Sequence, residues 1–231
     1  MKMSGDVGIG VRSYASTWVL RSAKMFATES QRIEDQYAGQ WASPYVEEHI
    51  SYTSSSIINS AVFLEAMVNE LFIDALKNHG TSDEGYIAPL SERTRELMAD
   101  WWEETRGRSS VLSKYQLLLS FAGHSKMNKD AEPYKSVASL IKFRNALVHY
   151  KPETIYSDMV HELERRLKGR YEENGLIPKE ARDGNWWPNH ALSAGGASWS
   201  HSSAERFARF LVSWAYALIS CVIRPKLMLM A

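Results

Sequence analysis

The stretch FRNALVHY, residues 143 to 150, sets an arginine inside an otherwise apolar helical run and a histidine five residues later. Arginine presents a planar fork of donors that can hold a phosphate or carboxylate at two points. Histidine, with an ordinary pKa of about 6.5, can take or give a proton near neutrality. On a helix turning about 100° per residue, Asn145 and His149 lie side by side at i and i+4, while Arg144 and His149 stand about 140° apart. The two meet on one ligand only through the length of the arginine, or if the helix end distorts before Pro152. Each also has a plain structural reading. Arg144 can fix helix register in an ion pair, His149 can answer the dipole at a helix C-terminus, and Asn145 can be solvated.

The elements that must position these residues carry a matching anomaly. Val137, Leu140, Ile141, Leu147 and Val148 form a stripe on the motif helix with Arg144 near its centre. On an earlier, longer helix, Ile58, Val62, Phe72 and Leu76 form a stripe interrupted in register by Glu65 and Asn69. A buried charge is normally paired, so the two helices are expected to pack face to face with Glu65 orienting Arg144. Around the motif, Lys142 and Lys151, with Arg165, Arg166, Lys168 and Arg170, outnumber the acids. They form a candidate phosphate-facing patch, or a charged face that is merely solvated.

The apolar period is helical nearly throughout, which predicts an all-α fold in a single domain, 1–231. The pattern predicts a first helix over 14–37 and a second opening at Ser43-Pro44 and stopping at NHG, 78–80. Further helices are predicted over 91–104, 110–122 and 131–150, with a charged one over 157–169. Residues 169–201, rich in glycine and containing NWWPNH, read as a long ordered loop, in which Trp186 and Trp187 either plug a core edge or stack on bases. SSAE, 202–205, is a capping-box pattern opening a last helix that ends at Arg224-Pro225.

Acidic and basic residues balance at 27 each, so no global charge draws the chain toward nucleic acid. The one cysteine, Cys221, rules out an intramolecular disulfide and fits a reducing cytoplasm. The N-terminal segment lacks a signal-peptide apolar core, and the apolar run 210–223 falls short of the roughly 18 to 20 residues a bilayer requires, so no membrane is expected. His124, His161, His190 and His201 lack metal-ligand spacing, HELER lacks the second histidine of a zinc-protease helix, and SGDVGIG is no phosphate loop. No metal and no cofactor are expected.

RNALVH matches the arginine, four residues, histidine signature of the HEPN superfamily, and Asn145 fits a common form of that motif. SAVFLEAMVNELF resembles the long helix that precedes the motif in that family, where a glutamate often faces the motif arginine. The resemblance covers a core of about 44–160 plus 202–224, with variable inserts at about 80–108 and 169–201. It implies an up-and-down helical bundle and a homodimer whose motif helices meet in one cleft. It further implies a metal-independent endoribonuclease in bacterial defence or a toxin-antitoxin system, with RNA as substrate and an antitoxin or defence-complex protein as partner. His149 would serve as general acid or base, Arg144 would stabilise the pentacoordinate phosphate, and Asn145 would fix the histidine or the phosphate. Glu65 would orient Arg144, and Lys142 and Lys151 would contact RNA. The ends left would be 2′,3′-cyclic phosphates. The family also contains non-catalytic modules that bind a nucleotide or a protein, which is the alternative. Members silenced by tyrosine adenylylation carry that tyrosine two residues past the histidine, a place held here by Lys151, with Tyr150 just before it.

Overall fold

The computed structural model describes residues 13–77, 87–152, 160–181 and 186–227, with side chains described to residue 211. The described residues form an all-α bundle without strands: α1 Ser16–Gln36, α2 Val46–Lys77, α3 Glu92–Thr105, α4 Val111–Phe121, α5 Tyr134–Val148, α6 Glu162–Leu167 and α7 Ala194–Leu227. A 3₁₀ turn, Lys179–Ala181, lies between the last two.

The bundle is organised around α2, which packs against α1, α3, α4, α5 and α7. Its buried face is Ile57, Ala61, Leu64, Val68, Phe72 and Ala75. Val137, Leu140 and Phe143 of α5 and Ala204, Phe207 and Leu211 of α7 complete the same core. Tyr115 of α4 is fully buried, its hydroxyl donating to Leu64 O at 2.7 Å and its ring set edge-on to Phe207. Among the described residues α2 alone is long and apolar enough to cross a bilayer, and here its apolar residues make the core.

Serines cap two helix starts locally. Ser91 Oγ accepts from Thr94 N at the head of α3, and Ser110 Oγ from Ser113 N at the head of α4. Two others are capped from across the fold. Ser16, the first residue of α1, donates through its N–H and hydroxyl to the Glu70 carboxylate of α2, at 3.0 and 2.6 Å. Ala194 N donates to Glu34 Oε1 of α1 at 2.8 Å, and His49 Nε2 of α2 lies 2.8 Å from the same oxygen. Both carboxylates satisfy orphan N–H groups and oppose the positive end of a helix dipole.

This second tertiary cap corrects the sequence reading of the last helix. It opens at Ala194, eight residues before SSAE, and continues past Arg224-Pro225 to Leu227. Ser203 and Ala204 of the expected cap are buried inside it. The local cap is Ser193, whose Oγ accepts from Gly196 N at 2.9 Å. Gly195 and Gly196, which read as loop, are helical because the chain crosses close by. A Cβ on Gly195 would stand 2.5 Å from Glu172 O.

Other bounds shift as well. α2 starts at Val46, after a turn in which Ser43 Oγ accepts from Tyr45 N, and α6 is confined to Glu162–Leu167. The expected stop at 78–80 lies outside the described residues. The expected insert 80–108 holds a core helix: Met98 of α3 is fully buried and Trp101 meets Phe72 edge-on at 5.1 Å. Trp186 and Trp187 are buried in the main core, which fits the plug reading.

Gly195→Ala separates propensity from packing. Helix propensity alone favours alanine by about 1 kcal/mol. The clash with the Glu172 backbone predicts a net loss of about 1 to 3 kcal/mol instead, read as a lower urea midpoint at unchanged slope.

Candidate functional site

The two interruptions meet. Arg144 Nη2 donates to Glu65 Oε2 at 3.2 Å, joining α5 to α2. The pair sits at the margin of the packed face, not its centre. The α5 residues sealed in the core are Val137, Leu140 and Phe143, whereas Ile141 and Leu147 are half-buried and Val148 is exposed. On α2 the buried set runs through Ile57, Leu64 and Val68, leaving Ile58 half-buried and Val62 exposed. The expected stripes were therefore rotated, because Phe143 rather than Arg144 faces the core. The charged groups keep water within reach: the side chains are 19% exposed for Arg144 and 45% for Glu65. Arg144 Nε is buried without a partner, so Nη2 carries the only side-chain hydrogen bond of this arginine among the described residues.

α5 stops at Val148, and His149 is its C-cap, with φ −110° and ψ 37° and its N–H donating to Asn145 O at 2.9 Å. The side chains of Asn145 and His149 are exposed and make no hydrogen bond among the described residues. Val148 and Tyr150, on either side of His149, are large apolar residues at least half exposed, so the end of α5 carries an apolar rim.

A further cation belongs to this neighbourhood. Lys114 of α4 is buried, donates through Nζ to Asn69 Oδ1 at 2.7 Å, and lies 5.2 Å from the Trp102 ring centroid. Burial lowers its pKa below 10.5, and the Glu65 charge opposes that shift. Glu65 thus sits in the field of Arg144 and of Lys114. The signal for Lys114 was its place in the apolar run SVLSKYQLLLSFA, which matches the polar break at Asn69.

The basic patch is mostly paired. Lys142 is bonded to Glu162, which also accepts from Arg166 Nε at 2.9 Å, and these two donors hold the Glu162 carboxyl at about 2. Lys168 pairs with Glu164, and Arg170 with Glu132. Lys142 stands about 200° around α5 from Arg144, so it faces α6 and not the Glu65 pair. Lys151 is exposed next to the helix end. Among the described residues no group of three or more His, Cys, Asp or Glu side chains could hold a metal ion.

No family model, no curated protein and no solved structure matches the chain.

Because solvent reaches the ion pair, Glu65→Ala is expected to cost about 1 kcal/mol, not the roughly 3 to 5 kcal/mol of a sealed pair. Urea denaturation of the variant measures this.

For Lys114, the folded chain gives up its proton at a lower pH than the unfolded chain. The lysine's contribution to stability therefore rises as pH climbs toward 10.5 and falls as pH drops through the folded value. The stability gap between wild type and Lys114→Met should move in favour of wild type between neutral pH and that point. Paired denaturation curves across the range check the sign.

Proposed function

We propose that the chain is a HEPN-type, metal-independent endoribonuclease acting in the cytoplasm as a homodimer, within bacterial defence or a toxin-antitoxin system. The observation that carries this reading is a solvent-facing histidine closing α5, on the same helix end as an arginine held by a carboxylate from α2. The defence setting and the antitoxin or defence-complex partner rest on the resemblance of RNALVH alone.

In this reading RNA supplies its own nucleophile. His149 takes the proton of a 2′-hydroxyl, the 2′-oxygen attacks the adjacent phosphorus, and the bond to the 5′-oxygen breaks. The leaving oxygen takes a proton from a second acid, for which the other copy of His149 in a dimer is suited. Arg144, with Nη2 engaged by Glu65, offers its remaining amino group to the charge that builds on the phosphate. Asn145, one turn before His149, holds the histidine or a phosphate oxygen through its amide. The rim of Val148 and Tyr150 supplies apolar surface for a two-fold contact at the same helix end.

A non-catalytic module that binds a protein partner draws on a different observation. The carboxylates paired with Lys142, Arg166, Lys168 and Arg170 leave little free positive charge for RNA, whereas the apolar rim remains.

The purified chain should sediment as a dimer. It should cleave single-stranded RNA in excess EDTA, leave DNA intact, and produce 2′,3′-cyclic phosphate ends. His149→Ala should lower the rate about 100-fold to 10,000-fold with RNA affinity nearly unchanged. Wild-type cleavage by that variant would sink the assignment of His149. A dimer that cuts none of a broad RNA panel would favour the partner-binding module.

A further inference from the structure

A cleft of about 710 Å³ opens beside the N-terminal end of α2. One wall is the turn between α1 and α2, residues 39–43, and the other includes Pro178, Asn189 and His190. Counted from Val46 to Glu65 along α2, the Arg144 pair lies about 30 Å away at 1.5 Å per residue. This cleft is separate from the motif.

Its walls are braced. Gly39, with a left-handed φ of 72°, donates its N–H to Gly175 O at 2.9 Å and so ties the turn to the opposite segment. The fully buried Asn174 donates through Nδ2 to Asn189 O and Leu192 O, accepts from Leu176 N, and donates its own N–H to His190 O. Tyr37 and Tyr45 stack at 4.3 Å across the base of the turn. A cleft fixed in this way exists before a ligand arrives, which lowers the ordering cost of binding.

The polar chemistry of the cleft centres on His190. It is 5% exposed, lines the cleft, and makes no ring hydrogen bond among the described residues. Its Nδ1 lies 3.5 Å from Glu173 Oε2, while the other oxygen of that carboxylate accepts from Trp186 Nε1 at 2.9 Å. The carboxylate thus stands on the Nδ1 side of the ring, and Nε2 has no protein partner among the described residues. The half-buried Trp41 offers an aromatic face, and the exposed Gln40 and Asn189 each bring one amide donor and one acceptor. Among the described residues no lysine or arginine lines the cleft.

We propose that this cleft binds a nucleobase or nucleoside, with the ring stacked on Trp41 and its polar edge read by His190, Asn189 and Gln40. A flat ring suits the tryptophan, and a mixed donor and acceptor edge suits two carboxamides and an imidazole. The volume lies within the range of about 300 to 1,000 Å³ usual for small-molecule sites.

Isothermal titration of the full chain with adenosine, guanosine, cytidine and uridine, their 5′-monophosphates and a set of methyl glycosides tests this. At least one nucleoside should bind saturably. Trp41→Ala and Asn189→Ala, both on the cleft wall and checked for unchanged melting, should each weaken binding by about 10-fold, the scale of one lost base stack or edge contact. His149→Ala should leave nucleoside affinity unchanged, so failure of the nuclease reading and failure of this one are distinguishable. No nucleoside binding at about 1 mM, an affinity too weak to count as a built site, would overturn the proposal. So would binding that both wall variants leave intact, binding that requires the phosphate, or saturation by the glycosides alone.

Discussion

The Glu34 carboxylate is the contact on which most of the architecture depends. It projects from α1 into the interior, accepts the first N–H of α7, and lies against the fully buried His49 of α2. One side chain thus ties three helices distant in sequence. A Cβ on Gly175 would stand 3.0 Å from its second oxygen, so the segment between α6 and α7 must also pass close to it. The energetic reason is the same at Glu70 and Ser16: a helix N-terminus inside a protein needs acceptors for N–H groups that its own turn cannot satisfy. With α1 and α7 anchored at their heads by carboxylates from other helices, α2 has a fixed surround. The cleft between residues 39–43 and Ile177, Pro178, Asn189 and His190 opens beside this framework.

Where α5 meets α2, charge is arranged at the boundary of the core instead of inside it. Arg144 and Glu65 join α5 to α2 where water still reaches both, so their bond directs the guanidinium at modest net energy. Lys114 is the more costly group, and its bond to Asn69 and its place over Trp102 offset the loss of solvent. Trp102 lies in turn against Gly107, where a Cβ would stand 2.6 Å from its ring, just past the left-handed Arg106 that caps α3. Glutamate, lysine and arginine form a connected set, and changing one alters the field at the other two. The exposed end of α5, with His149 and Asn145 free of such ties, is the part of the site left open to a reaction or a partner.

How much of this was legible in the sequence follows from the range of the forces involved. The all-α class, the positions of α1 to α5 within a few residues, and the meeting of Glu65 with Arg144 were readable because helical period is local and because a charge in an apolar stripe calls for a partner. The exact face was not. Placing Arg144 at the stripe's centre failed because Phe143, one position away, wins the core, and a wheel drawn from one helix cannot weigh neighbours on another. The same limit hid Lys114, whose meaning lies in Asn69, 45 residues earlier.

The sequence by itself determined which segments become helices, where Ser91 and Ser110 cap them, and which residue types could act on a phosphate. The tertiary structure decided the rest. It set the start of α7 at Ala194, because the acceptor that permits that start is Glu34, 160 residues away. It placed Gly195 and Gly196 in a helix where a Cβ would meet the Glu172 backbone at the first and Ala191 O and the Tyr171 ring at the second. It also sank Trp186 and Trp187 into the core and aimed His190 at a cleft no local pattern announces. Local propensity acts over a turn or two, whereas a cap, a close approach or a cavity wall exists only once distant segments have come together.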